Sequence, residues 1–153
     1  MAIEKVRTWF RERGIEDKIM EFSVSSATVQ LAAEALGVES GRIAKTLSFY
    51  HGERVALIVM AGDKKLSNPK FKAFFGLKAK MLSPEDAEQK IGHAVGGICP
   101  FAVNDGCDVY LDESLFRYDV VYPACGSSNS AAAFSPKELE SLLNAQRVDL
   151  AVE

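Results

Sequence analysis

The sequence predicts an α+β fold, a mixed β-sheet with helices packed around it, in a single domain spanning residues 1–153. Three observations predict it. First, segments of strand length and segments of helical period both occur but do not alternate strictly. Their order is helix, strand, helix, two strands, helix, strand, helix, three strands and a helix, which argues against a doubly wound parallel sheet. Second, VALIVMAGD (55–63) is apolar and β-rich, the pattern of a strand buried on both faces. Third, 48% of the 153 residues are hydrophobic and 25% charged, the balance of a globular domain with one core.

Each element has a local reason. Ile3, Val6 and Phe10 recur at helical spacing, and Gly14 stops that helix near residue 13. KIMEFS (18–23) suits a short strand. Ser25 or Ser26 caps a second helix with Val29, Ala32, Ala33 and Leu36 on one face and Gly37 at its end. RIAKTLSFY (42–50), a short link containing Gly52, and 55–63 read as a β-hairpin. Ser67 starts a helix whose Phe71, Phe74 and Phe75 are read as core rather than as a base-stacking platform, and Gly76 closes it. Lys78–Leu82 is a further strand. Ser83-Pro84-Glu85 opens a helix with a capping serine, proline at the first position and acids in the first turn. That helix runs to about Ile91. Asp108–Leu111 and Asp119–Tyr122 read as strands on either side of ESLFRY, followed by ACGSSNS (124–130) and the apolar AAAF. Ser135-Pro136 opens the last helix, which buries Leu139, Leu142 and Leu143.

Composition excludes several classes. No apolar run approaches the roughly 18 residues of a membrane span, and the N-terminal MAIEKVRTWFRERG lacks a signal peptide's apolar centre. The expected location is therefore the cytoplasm. Cys99, Cys107 and Cys125 form no CxxC pair, and His51 and His93 are the only histidines, so neither a disulfide framework nor a metal centre is expected, nor a cofactor. The net charge of −3 argues against general coating of nucleic acid. Yet Lys64, Lys65, Lys70, Lys72, Lys78 and Lys80 occupy 64–80 without an acid, which suits either contact with a few phosphates or a solvated helix face.

The segment GHAVGGICPF (92–101) has the composition of a backbone-built pocket. Its glycines permit positive φ and close approach to main-chain N–H groups, and consecutive N–H groups lining a concavity bind anions or a developing oxyanion. Pro100 fixes the chain direction where the loop leaves. A tight turn between two elements is the other reading.

Taken together, Lys45 within AKTLSFY, AGDKKL (61–66), GHAVGGICPF, DESLFRYDVVYPACGSSNS and SPKELESLL resemble the YbaK/prolyl-tRNA synthetase-associated domain family, in order and over about residues 15–145. Members of that family hydrolyse mischarged aminoacyl-tRNA. The resemblance implies a barrel-like mixed sheet of about six or seven strands with surrounding helices. It also implies a pocket in which Lys45 faces the glycine loop, the lysine serving the 3′ end of tRNA and the loop's backbone holding the aminoacyl ester. Members that remove cysteine from proline tRNA carry two basic residues where this chain has Gly126-Ser127-Ser128-Asn129. The alanine-removing branch carries a histidine near this segment, where this chain has none, and His93 stands where a tyrosine is common.

The chemistry this implies is modest, because an aminoacyl ester is already activated. It needs a positioned water, a stabilised carbonyl oxygen and a pocket of the right size. Lys45, Gly96 and Gly97 are the candidate catalytic groups, Lys45 binding a phosphate or ribose and the glycines offering N–H groups to the carbonyl. For Lys45 the competing reading is a strand-end lysine reaching solvent. Phe22, Ile98, Pro100 and Gly126 are candidate substrate-lining residues. Ser127 and Asn129 either bind the substrate's amine or side chain or make a turn. Asp63 either orients Lys45 or a loop, or caps the following turn. His93 is either a proton shuttle or structural. Cys99 is read as packing rather than as a nucleophile. The function expected is trans-editing deacylation of mischarged aminoacyl-tRNA by a monomer, with a synthetase as a further partner. The alternatives are a non-catalytic protein binding tRNA acceptor ends or a synthetase, and a small-ester hydrolase without RNA.

Overall fold

The computed structural model describes residues 2–153 and has the predicted α+β class. A five-stranded sheet runs in the order β5-β2-β3-β4-β7, and a two-stranded sheet pairs β1 with β6. The strands are β1 (Ile19–Glu21), β2 (Ile43–His51), β3 (Arg54–Ala61), β4 (Cys107–Asp112), β5 (Tyr122–Pro123), β6 (Ser130–Ala132) and β7 (Gln146–Val148). β2 and β3 form the expected antiparallel hairpin, with Lys45 opposite Met60. β5 runs parallel to β2, β4 to β3, and β7 to β4.

β3 is the buried centre, as its unbroken apolar run requires. Its side chains alternate. Ile58 and Met60 meet Phe49, Phe71 and Leu150 on one face. Val59 and Ala61 join Val6, Phe10, Cys99, Phe101, Leu115 and Leu139 on the other. Helix α3 (Asn68–Phe75) thus covers one face. Helix α1 (Ala2–Arg11), helix α5 (Pro136–Leu143) and the glycine loop cover the other. Asp112, 1% exposed, ties the last residues to this core. Its Oδ1 accepts from Leu150 N–H at 2.7 Å and its Oδ2 from Ser114 N–H at 2.9 Å, while Ser114 Oγ accepts from Ala61 N–H at 3.1 Å.

Three helix starts behave as their sequences require. Ser67, Ser83 and Ser135 cap α3, α4 (Pro84–Asp86, continued as a π-helical turn over Ala87–Ile91) and α5, and Ser135 with Glu138 completes a capping box. Helix α2 (Val29–Leu36) is capped by Thr28 rather than by Ser25 or Ser26. The two serines turn to the carbonyl of Ser128 instead.

Other expectations are corrected. Lys78–Leu82 forms no regular strand and makes one bridge, Met81 with Phe49. Val121 likewise makes only an isolated bridge to Phe134, leaving β5 with two residues. Residues Glu113–Arg117 form a 3₁₀ turn. Phe71 is in the core, but Phe74 is 44% exposed and packs edge-on against Phe75 and Tyr110.

Candidate functional site

β2 has a gap in its outer edge, and a cleft opens there. Ala44 still pairs with β5. Ser48 accepts from Leu82 N–H, and Tyr50 N–H donates to Lys80. Between these contacts no strand lies against that edge among the described residues. The cleft has a volume of about 260 Å³. Its walls are Ala27 to Val29 and Ala32 from the start of α2, Ala44 to Thr46 and Ser48 from β2, Met81 and Leu82, Val95, Gly96 and Ile98 from the glycine loop, and Tyr122, Ala124, Ser130 and Ala131. Most of this lining is apolar or hydroxyl-bearing. Among the described residues no group of three or more His, Cys, Asp or Glu is placed to hold a metal ion.

Lys45 borders the cleft while its ammonium turns towards the loop after β3. It donates to the carbonyl of Lys64, and at 3.5 Å to that of Gly62. Both partners are neutral acceptors. Burial pulls the Lys45 pKa below the usual lysine value, against the opposing pull of Asp63, and Lys65 lowers it further. Asp63 is held by Arg117: Nη2 reaches Oδ1 at 2.7 Å and Nη1 reaches Oδ2 at 3.3 Å, and this hydrogen bonding holds the carboxyl below its usual range. Asp63 caps no helix; Ser67 does.

The glycine loop divides the work among its residues. Gly96 lines the cleft with φ +96°, and a Cβ there would touch only Ala27 and Ser128, at ordinary distances. Gly97 is buried behind it and donates its N–H to Ala94 at 3.0 Å. A Cβ on Gly97 would sit 2.8 Å from Ser127 N, so this glycine is required by close backbone approach. The N–H groups of Gly96 and Ile98 have no protein acceptor among the described residues.

His93, wholly buried beneath the loop, does not line the cleft. Its Nε2 lies 2.7 Å from the Phe101 carbonyl, and because a carbonyl only accepts, the proton is on Nε2. Nδ1 is buried without a partner, and burial holds the imidazole pKa below its usual value. Cys99 is also buried, and its thiol is pushed up to about 12 by that burial. Pro100 faces a different depression, bordered by Trp9, Arg13 and Tyr110.

The remaining expected residues form the framework behind the cleft. Phe22 N–H donates to Asn129, and Asn129 Nδ2 donates back to the Phe22 carbonyl at 3.0 Å. Ser127 Oγ bonds Asn129 Oδ1 at 2.9 Å and Ser130 Oγ at 2.8 Å. Gly126 packs against Ala2 and Val6 of α1. These contacts join residues 22–26 to 126–130. Of the expected residues, then, Lys45, Gly96 and Ile98 meet on the cleft, and the others support it from behind or stand apart.

Thr46 is a cleft residue that the sequence alone does not single out. Its Oγ1 is buried at the cleft without a hydrogen-bond partner, and the buried Ser48 lies two residues on. The available signal was a pair of hydroxyls at strand spacing within an otherwise apolar β2.

A sequence model of the aminoacyl-tRNA editing domain matches residues 24–151. The uncharacterized protein YwhH of Bacillus subtilis is 51% identical over 140 residues, covering 91% of this chain and 89% of that protein. A protein of Enterococcus faecalis named as a candidate Cys-tRNA(Pro)/Cys-tRNA(Cys) deacylase, EbsC, is 28% identical over 131 residues, covering 84% of this chain and 80% of that one. A crystal structure described as that of a candidate trans-editing enzyme for prolyl tRNA synthetase superposes with a TM-score of 0.91 at 31% identity, covering 99% of this chain and 98% of that chain.

Proposed function

The chain belongs to the aminoacyl-tRNA editing domain family, and from that premise we propose that it is a trans-editing deacylase, cleaving the ester of a wrong amino acid on the 3′ end of tRNA in the cytoplasm. The supporting observation is the coincidence on one small cleft of Lys45 with Gly96 and Ile98, whose N–H groups have no protein acceptor among the described residues. In this reading the two N–H groups receive the charge that develops on the ester carbonyl as water attacks. They are fixed in place before the substrate arrives, because the loop is closed by Gly97 N–H to Ala94 and by His93 to Phe101.

Lys45 meets a terminal phosphate or ribose oxygen. An ammonium bonded only to neutral carbonyls exchanges one of them for an anion at little cost, and the anion forms the stronger, charge-assisted bond. At about 260 Å³ the cleft is smaller than most drug-sized sites, which run from about 300 Å³ upward, so it suits one small aminoacyl group. The proton moves through water, the ribose hydroxyl or the substrate's amine, since His93 and Cys99 are sealed beneath the loop. Apart from Lys45, the donors lining the cleft are backbone groups and hydroxyls, which suits hydrolysis without a metal.

The test is a deacylation panel of proline, alanine, threonine and cysteine tRNAs carrying wrong amino acids, with Lys45→Ala alongside. Turnover of one mischarged species, lost in the variant, is the expected result. Binding of tRNA with no turnover of any species would overturn the enzymatic reading in favour of a binding protein.

A further inference from the structure

The Lys45 ammonium reaches from β2 to the short turn that carries Asp63, and the two are not paired. Lys45 donates to the carbonyls of Gly62 and Lys64, the residues on either side of Asp63. Asp63 itself turns away, with both oxygens on the Arg117 guanidinium. Arg117 is firmly placed for this. Its Nε donates to the Ser114 carbonyl at 2.8 Å, and its guanidinium lies 4.9 Å from the Tyr118 ring centre, which Arg42 also approaches at 5.1 Å. Ser114 is in turn fixed by Ala61 and Asp112.

We propose that Arg117 is a positioning residue. By holding both oxygens of Asp63 it keeps that carboxylate off the Lys45 ammonium, leaving Lys45 available to an anionic group of the substrate. A lysine paired to a carboxylate one residue from its present acceptors would be neutralised towards phosphate and held away from it. A lysine on carbonyls is not. Arg is suited to the task because its planar fork takes both carboxylate oxygens at once, which Lys cannot do. Asp63 and Lys65 are the charged groups that act on Lys45 directly, the first favouring its charge and the second opposing it, and Arg117 stands beyond Asp63.

This inference rests on the reading of Lys45 as the group that meets substrate, so its test includes a readout independent of catalysis. The Lys45 titration midpoint is followed by NMR at its ε-carbon in the intact protein, assigned with Lys45→Arg. Arg117→Ala is expected to raise the midpoint, and Asp63→Asn/Arg117→Ala to bring it back to or below the starting value. Arg117→Gln, which keeps much of the side chain but loses the charged fork, is expected to raise it as well and keeps the test open should Arg117→Ala not fold. A midpoint unmoved when Arg117 is replaced, or one that stays raised when Asp63→Asn is added to Arg117→Ala, overturns the proposal.

Deacylation by the same variants gives the second arm. Arg117→Ala is expected to lose about tenfold or more, within the roughly hundredfold that misplacing one group can cost. Arg117→Lys is expected to recover part of the loss, and adding Asp63→Asn to Arg117→Ala most of it. Loss in Lys45→Ala with no loss in Arg117→Ala overturns the positioning role. Full activity in Lys45→Ala overturns the functional reading instead, and the NMR arm still decides whether Arg117 restrains Asp63.

Discussion

The imidazole of His93 donates its Nε2 proton to the carbonyl of Phe101 and so closes the glycine loop upon itself from beneath. The opposite nitrogen, Nδ1, is buried with no partner. The fold therefore holds this histidine neutral, because a proton on Nδ1 would place an unpaired charge among buried groups.

A pH dependence of stability follows. In the unfolded chain His93 takes up a proton below about pH 6.5; in the fold its pKa is lower, chiefly through burial. Unfolding thus binds a proton in the window between the two values. Stability is fully present above about pH 6.5 and declines as pH falls from there towards the lower, folded value. Urea unfolding at several pH values will show the decline, and His93→Gln will flatten it.

The two central glycines will separate in mutagenesis. Gly97→Ala drives a methyl into the backbone of Ser127 and is expected to cost about 1–3 kcal/mol as well as activity. Gly96→Ala has room for its methyl and pays only for positive φ, about 1–2 kcal/mol, while its activity falls further than its stability because the methyl stands in the cleft. Equal losses of both properties in Gly96→Ala would mean that this glycine is only part of a turn. Thermal unfolding and deacylation measured on the same preparations will decide.

Asp112→Ala removes a buried carboxylate that receives two main-chain N–H groups and leaves both without a partner. Bonds to charged groups contribute about 1.5–3 kcal/mol each, so a loss of at least that size is expected in urea unfolding. Because Leu150 is one of the donors, hydrogen exchange should rise first in the last residues.

Deacylation will fall with rising pH as Lys45 loses its proton. The fall will come below the usual lysine pKa of about 10.4, since burial disfavours the ammonium. Lys45→Ala removes this limb together with the activity. Cys99→Ser leaves the activity in place, because a sealed thiol with a pKa of about 12 supplies no nucleophile near neutral pH.

Rising salt will weaken activity if Lys65, Lys72, Lys78 and Lys80, all exposed, meet phosphates. Lys70 will contribute least, being paired with Asp149 and Glu153 and bonded to the Ala151 carbonyl. Single Lys→Ala variants assayed across a salt series will rank them.

Much of this architecture was legible because its signals are local. The buried β3 announces itself by its apolar run, and the capping serines 67, 83 and 135 by the proline at or just after the first helical position. What could not be read is what depends on distant partners. Gln146–Val148 is polar at two of its three positions and becomes β7 only because β4 offers an edge. Ser25 and Ser26 are as good caps as Thr28, and the Ser128 carbonyl draws them elsewhere. In the site, Lys45 and the glycine loop stood out by composition. The separate roles of Gly96 and Gly97 did not, since they turn on where Ser127 lies. Asp63 follows the strand paired with that of Lys45, but its partner Arg117 lies far along the chain.

The pairing of β1 with β6 joins Ile19 to Ala132, and β6 supplies Ser130 and Ala131 to the cleft. Closing so long a loop is entropically costly and favours late assembly. On the ribosome the opening of the cleft would already be laid down in β2 while its far wall was still to be translated. Catalytic competence would therefore arrive near the end of synthesis, and a nascent chain halted before residue 130 would hold tRNA poorly and cleave nothing. Recovery of turnover during refolding is accordingly a sensitive gauge of when the two ends of this polypeptide meet.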